Sequence, residues 1–142
     1  MTEEQILAWM AGLLEGEGSF MTIKNRVSGK IYHYPAIAIS MTDQDIIDRI
    51  TKQFGNKVFY NTNPDSRRKC LPQWRAGISG KGAVGWMRKL YPFMGQRRQT
   101  QIDATISKWE NRTSNSESRV RLMKEVAKTR RRERNGKFVD AL

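Results

Sequence analysis

Apolar side chains recur at three- and four-residue spacing near the start of the chain. Ile6, Leu7, Met10, Leu13 and Leu14 fall on one helical stripe, so a helix is predicted over residues 3–15. Thr2-Glu3-Glu4-Gln5 supplies a capping box for it, with Thr2 as N-cap and Gln5 three positions on. Gly16 and Gly18 are expected to end it. The pattern then changes to period two. Residues 19–26 predict a strand, Val27-Ser28-Gly29-Lys30 a turn, and residues 31–41 a second strand, in which Ile37, Ile39 and Met41 alternate with Ala36, Ala38 and Ser40. A second helix starts at Thr42-Asp43-Gln44-Asp45, whose acids suit the positive end of the helix dipole. Ile46, Ile47, Ile50 and Phe54 form its apolar face, and Gly55 is placed to stop it. A short strand follows at 57–60, then a polar loop at 61–69 and a strand at 71–79 with Trp74, Ala76 and Ile78 pointing inward. Helices are predicted at 80–90, stopped by Tyr91-Pro92, and at 96–110, with Ile102, Ile106 and Trp109 on one face. The order αββαββαα describes an α+β domain built on an antiparallel sheet.

Residues 111–118, Asn-Arg-Thr-Ser-Asn-Ser-Glu-Ser, read as a linker. Val120, Met123 and Ala127 allow a thin helical stripe beyond it. Residues 111–142 carry ten Lys and Arg against four Asp and Glu, a net +6. The expectation is a core domain at 1–110 and a basic, helical, nucleic-acid-contacting extension at 111–142. No internal repeat is present.

Charge narrows the partner. Lys plus Arg is 26 and Asp plus Glu is 14, so 142 residues carry +12. Such an excess points to a polyanion, most often nucleic acid, with a membrane surface as the rival. The first twenty residues run against this trend: they hold Glu3, Glu4, Glu15 and Glu17 and no basic residue. Helix-start electrostatics accounts for Glu3 and Glu4, but not for Glu15 and Glu17.

Composition also excludes. A single Cys, Cys70, permits no intramolecular disulfide, and with a single His, His33, it rules out zinc fingers and His-rich metal sites within one chain. His33, near the turn, reads as a surface or phosphate contact, and Cys70 as buried or incidental. No run reaches about 18 apolar residues, so no membrane partner is expected. The acidic start is unlike a signal or transit peptide, which suggests an intracellular location: cytoplasm, nucleoid or organelle matrix. Gly77-Ile78-Ser79-Gly80-Lys81-Gly82 lacks the gap and the final hydroxyl of a phosphate-binding loop. Trp74, Trp86 and Trp109 read as core.

One helix face asks for an explanation. Ala8, Gly12 and Gly16 are four residues apart. A glycine inside a helix costs about 1 kcal/mol relative to Ala, and close approach of a second helix would justify it. Two such helices crossing at Gly12 would bring two Gly16-Glu17-Gly18 ends together. Paired carboxylates hold divalent cations, which prefer oxygen ligands, and such ions drive phosphodiester cleavage. The plainer alternative is an ordinary helix end with a solvated Glu17.

The stretch Met10-Ala11-Gly12-Leu13-Leu14-Glu15-Gly16-Glu17-Gly18, followed by Ser19-Phe20, resembles the LAGLIDADG motif of homing endonucleases, with Met for the first Leu and Glu for both Asp. The order αββαββα over residues 3–110 resembles that family's fold, whose antiparallel sheet forms a saddle on DNA. The motif occurs once, and single-motif members are homodimers. The resemblance implies an Mg2+-dependent nuclease that cuts both strands of a long, nearly palindromic double-stranded site across the minor groove, in the service of intron mobility. Mn2+ should substitute, and Ca2+ should support binding without cleavage. Glu17 matches the metal-binding catalytic carboxylate, and the Gly16 carbonyl a main-chain ligand. Glu15 matches the first acid of the motif, which has a structural role at the dimer interface with Ala8, Gly12 and Gly16. Asp43 matches a polar position that orients water; an acid there either adds a metal contact or caps the helix. Arg97 or Arg98 matches a basic residue near the scissile phosphate. Two other readings stand beside this one: an RNA maturase that binds intron RNA, and a non-catalytic DNA-binding regulator on the same fold.

The resemblance places the sheet over the major groove, where base edges carry a full donor and acceptor code. Alternation then nominates the facing residues. In the second strand these are Tyr32, Tyr34, Ala36, Ala38 and Ser40; in the fourth, Gln73 and Arg75; in the third, Tyr60, and Thr62 if the strand extends that far. The first strand is in conflict. Polarity favours Thr22, Lys24 and Arg26, whereas a core-facing Phe20 favours Met21, Ile23 and Asn25, and a bulge would reconcile the two. Lys24, Asn25 and Arg26 are therefore nominated without a choice of face. Arg67 and Arg68 in the polar loop, and Arg130, Arg131 and Arg132 in the extension, are candidates for phosphate contact. RNA contact by the extension is the alternative.

Overall fold

A computed structural model describes the backbone of residues 1–55, 59–61 and 72–140, and their side chains except those of 59–61, 113–119 and 130–140. The chain divides into two units, 1–107 and 108–142.

In the first unit, α1 (Glu3–Glu17) opens on the capping box: the Thr2 hydroxyl accepts from the Gln5 amide at 3.2 Å, and the Gln5 side chain accepts from the Thr2 amide at 2.9 Å. The helix passes through Gly16, where the sequence suggests a break, and ends at Gly18, whose N–H donates to the Leu14 carbonyl. Gly18 has an extended backbone, and the need for glycine is steric. A Cβ there would lie 2.7 Å from the Leu14 carbonyl oxygen, because the strand leaves directly against the last helical turn.

Strands β1 (Gly18–Val27) and β2 (Lys30–Met41) form an antiparallel hairpin. Ser28 and Gly29 turn it with φ of 52° and 78°, the left-handed pair that a two-residue hairpin demands. Helix α2 (Gln44–Phe54) ends at Gly55, which takes the left-handed conformation, φ 72°. Strand β3 (Phe59–Asn61) and strand β4 (Gln73–Ser79) complete a four-stranded sheet in the order β1-β2-β4-β3. Helix α3 (Lys81–Leu90) gives way at Tyr91–Phe93 to a single 3-10 turn containing Pro92. These elements make the expected αββαββα order.

The helices cover one sheet face. Met10, Leu14, Ile37, Ile39, Ile47, Ile50, Met87, Leu90 and Ile102 are fully buried in one cluster, with Phe20, Phe54 and Ala76 beside them. Trp74 and Trp86 pack against this cluster, Trp86 edge-on to Phe54 at 5.5 Å.

Helix α4 (Gln96–Asp140) differs from expectation. It is one helix of 45 residues, and it runs through 111–118, where composition suggests a linker. Ser and Asn favour caps and turns over helix interiors, but their deficit is only a fraction of a kcal/mol each. A helix already nucleated upstream propagates through such residues. Among the described residues, no helix is long and apolar enough to cross a membrane.

Candidate active site and nucleic-acid face

The last turn of α1 carries two acids in different surroundings. Glu15 is half-buried, and its carboxylate Oε2 accepts the Gly95 N–H at 3.0 Å. That amide stands at the start of α4, where N–H groups have no helical acceptor and the dipole favours an anion. Glu17, two residues on, is exposed, as is Gly16. The resemblance leads one to expect Glu15 at a dimer interface; within the chain its carboxylate accepts from the amide that precedes α4.

The two arginines at the start of α4 also separate. Arg97 is exposed. Arg98 is only 7% exposed and donates to the Glu15 carbonyl from Nε at 3.3 Å and from Nη2 at 3.0 Å. Its Nη1 donates to Gln101 Oε1 at 3.1 Å, and its guanidinium lies 5.7 Å from the centre of the Phe20 ring. Arg98 is thus taken up by protein groups, and Arg97 is the exposed one of the pair. The signal was available in the sequence: Arg98, Ile102 and Thr105 are spaced by four and three, so all three fall on the buried stripe.

Asp43 is exposed and precedes α2 with an extended backbone, and its side chain makes no capping hydrogen bond. Ala8, Gly12 and Gly16 are all exposed, and a Cβ built on either glycine would meet nothing within 4 Å. Packing among the described residues therefore gives no reason for either glycine. Among the described residues, no three His, Cys, Asp or Glu side chains converge into a metal-binding group. Among the described residues, the end of α1 carries an exposed Glu17 directly after an exposed Gly16.

The sheet's other face is defined by register. Partners in the β1–β2 ladder run without interruption from Gly18–Ile39 to Val27–Lys30, so there is no bulge. Phe20, Thr22, Lys24 and Arg26 share a row with Ile37, Pro35, His33 and Ile31, which is the core-side row. Met21, Ile23 and Asn25 share the opposite row with Ala36, Tyr34 and Tyr32. Of the three nominated residues, only Asn25 lies on the open face; Lys24 and Arg26 lie on the other side of the hairpin. Polarity misled because both sides are solvated there: every residue from Lys24 to His33 is exposed.

Ser40 pairs with Arg75, and Ala38 with Gly77, on the open face. Gln73 and Arg75 are exposed. Ala36 and Ala38, expected to face a ligand, are 3% and 9% exposed, yet they are absent from the core cluster. As small side chains on the central strand, they form a shielded floor with Gly77, where a Cβ would lie 3.3 Å from the Ile37 carbonyl oxygen. Sequence reading missed Gly77 and Ser79 as members of this floor, because glycine and serine carry no polarity signal for a face. Tyr60 is Cα partner to Trp74, and so occupies the core-side row rather than the row of Gln73 and Arg75. Thr62, Arg67, Arg68 and Cys70 lie outside the described residues. Arg130, Arg131 and Arg132 lie within α4, with side chains outside those described.

Helix, hairpin, helix, hairpin and two further helices, with the acidic end of α1 entering β1, define a class. The fold is that of the LAGLIDADG homing endonucleases. Among solved structures, the chain is similar to the group I intron-encoded homing endonuclease I-CeuI complexed with DNA, with a TM-score of 0.61 and 12% identity over 82% of this chain and 59% of that one. It is also similar to the archaeal intron-encoded homing endonuclease I-Vdi141I complexed with DNA, with a TM-score of 0.55 and 13% identity over 71% and 65%. A third is the homing endonuclease I-CvuI in complex with its target in the presence of Ca, with a TM-score of 0.55 and 16% identity over 70% and 62%. The chain thus spans about six tenths of the length of these three solved structures. At these identities the likeness is one of fold. No family model and no curated protein matches the sequence.

Proposed function

We propose that the chain is a site-specific, Mg2+-dependent DNA endonuclease acting as a homodimer on a long, nearly palindromic duplex site. The observation that carries this reading is one helix bearing both an exposed Glu17 and an exposed row of Ala8, Gly12 and Gly16, whose two glycines no described residue requires. A second copy crossing at Gly12 supplies the missing reason for both glycines. By two-fold symmetry it also brings a second Glu17 and Gly16 beside the first.

The donors suit the ion. Mg2+ takes hard oxygen ligands and keeps several waters, so a carboxylate and a peptide carbonyl from each copy, completed by phosphate and water, fit it. Mn2+ has the same preference, and Ca2+ is expected to support binding without cleavage. A divalent ion held there would polarise the scissile phosphate and offset charge on the leaving oxygen. Glu17 would hold it through its carboxylate and Gly16 through its carbonyl. Asp43, with no capping bond to make, accepts a hydrogen bond from the attacking water and aligns it. Arg97 places a permanent positive charge against the phosphate and cannot act as a proton carrier.

The open sheet face reads the duplex. Asn25, Tyr32, Tyr34, Ser40, Gln73 and Arg75 reach base edges around the floor of Ala36, Ala38 and Gly77, while Arg67, Arg68, Arg130, Arg131 and Arg132 meet phosphates, which position without specifying. The genetic role is intron mobility.

Two tests apply. Purified protein selects sites from random duplex DNA in Ca2+, then receives Mg2+, and the ends are sequenced, with Glu17→Gln run in parallel. The reading expects a palindromic site cut by wild type alone. Specific binding without cutting would replace the nuclease with a regulator, and preference for intron RNA would replace it with a maturase. Gly12→Leu should convert the dimer to monomer in light scattering, and an unchanged dimer would remove the helix crossing.

A further inference from the structure

We infer that Arg98 is a positioning residue that fixes the metal-binding end of α1 from inside the same chain; its functional half rests on the Glu17 reading above. The last carbonyls of a helix have no intrahelical donors. At Glu15 the next turn is missing, because the chain turns into β1 at Gly18. Arg98 takes the place of that turn with two N–H donors, at 3.3 and 3.0 Å. A cation at a helix C-terminus is also favoured by the dipole.

Arg98 is an unusual choice for a core stripe. A charge that is 93% withdrawn from water is costly unless its donors are satisfied. Here each of its three nitrogens has an acceptor, in Gln101 or the Glu15 carbonyl, and the guanidinium packs near the Phe20 ring. Lysine could not do the same, since it offers a point charge in place of a planar fork.

The other end of the same residue is tied as well. The Glu15 carboxylate accepts the Gly95 N–H, and a Cβ on Gly95 would lie 3.1 Å from Glu15 Oε1. Glu15 is therefore held through its backbone by Arg98 and through its side chain by the start of α4. Gly16 and Glu17 follow it directly in the chain and inherit their placement from it. The orientation of the Glu17 carboxylate then depends on a residue that never meets DNA. Arg98 and Arg97 divide the labour: one sets the ligand, the other faces the phosphate.

The test compares Arg98→Met, which keeps the apolar stem and removes every donor, with Arg98→Lys. Hydrogen exchange is read at residues 16–19, and cleavage of the selected site is followed against Mg2+ concentration. In Arg98→Met, exchange at 16–19 should rise about tenfold, the loss expected for a charge-assisted hydrogen bond. Exchange at Ile6–Met10 should stay within about twofold, since the other end of α1 is capped separately. Half-maximal cleavage should need about tenfold more Mg2+, as for groups that orient a metal ligand. DNA affinity in Ca2+ should be unchanged, and Arg98→Lys should recover part of both losses. If Arg98→Met does not fold, Arg98→Lys and Glu15→Gln carry the same two measurements, with smaller shifts expected in the same places. Unchanged exchange at 16–19, or a uniform rise along α1, would overturn the tether. Cleavage with unaltered Mg2+ dependence would overturn its role at Glu17 while leaving the nuclease in place. A wild type that cuts nothing would take both the nuclease and that role with it, and exchange would still decide the tether.

Discussion

The two halves of α4 are the same element held by different forces. From Gln96 to Ser107, packing and hydrogen bonds hold it. Arg98, Ile102 and Thr105 are buried, Ile106 packs on the core, and the Thr105 hydroxyl donates to the Gln101 carbonyl at 2.8 Å. Between Val120 and Val126 the described large apolar residues have no cover: Val120 is 52% exposed, Leu122 62%, Met123 75% and Val126 46%. What sustains the second half is local: a nucleus inherited from the first half and good helix formers such as Arg, Lys, Leu and Met. The lesson is that helix and core are separable in this chain. The corner proposed as active sits at the end of α4 where both are present.

The sharpest way to break that contrast is to cut one apolar side chain from each half. Ile102→Ala removes a fully buried side chain and should cost about 2–5 kcal/mol in urea unfolding. Met123→Ala removes an exposed one and should stay within about 0.5 kcal/mol. Equal losses would mean that the second half is covered in solution and that the contrast is wrong.

A smaller effect is expected from removing the second half altogether. A chain ending at Asn111 should unfold at the midpoint of the full chain, because no core residue is removed. It also loses ten Lys and Arg against four acids, counting from Arg112. Its DNA affinity should fall, and the slope of log affinity against log salt should flatten by about 0.9 for each phosphate that the extension had neutralised. An unchanged slope would leave the extension with no phosphate role. A shifted midpoint would show that it supports the core.

How much of this was legible follows from where burial is one-sided. The capping box at Thr2, the stop at Gly55 and the inward rows of β2 and β4 were readable because a buried face forces the apolar pattern. Lys24 and Arg26 were not, because the hairpin outruns the helices and its two faces are equally wet. Tyr60 was not, because a three-residue strand offers too little alternation to fix a register. The continuity of α4 was hidden by Ser and Asn, whose preference for turns is weaker than the advantage of extending an existing helix. At the candidate site, Glu17 stood out through its motif. The division between Arg97 and Arg98 was written in the spacing to Ile102 but masked by the habit of placing charges outside. The partner of Glu15 was not legible at all, since Gly95 lies eighty residues away and donates only a backbone amide.

The smallest effect belongs to Tyr91, which shows whether polar contacts help to hold the first half of α4. Its phenol donates to Asp103 Oδ2 on α4 at 3.0 Å. That hydrogen bond, then burial, then the negative charge of Asp103, raise the tyrosine above its usual pKa. The sign follows. Because the folded value exceeds the unfolded one, near 10, the contact contributes fully below that pH. Its contribution is lost as pH rises through the higher folded value. In a spectrophotometric titration of the four tyrosines, a late-ionising phenol should vanish in Tyr91→Phe and move to lower pH in Asp103→Ala. Stability at neutral pH should change little, because the pair is open to solvent. If no phenol titrates late, Tyr91 does not hold Asp103 in solution. The first half of α4 would then be anchored by Arg98, Ile102 and Ile106, and the difference between the halves would reduce to the buried stripe.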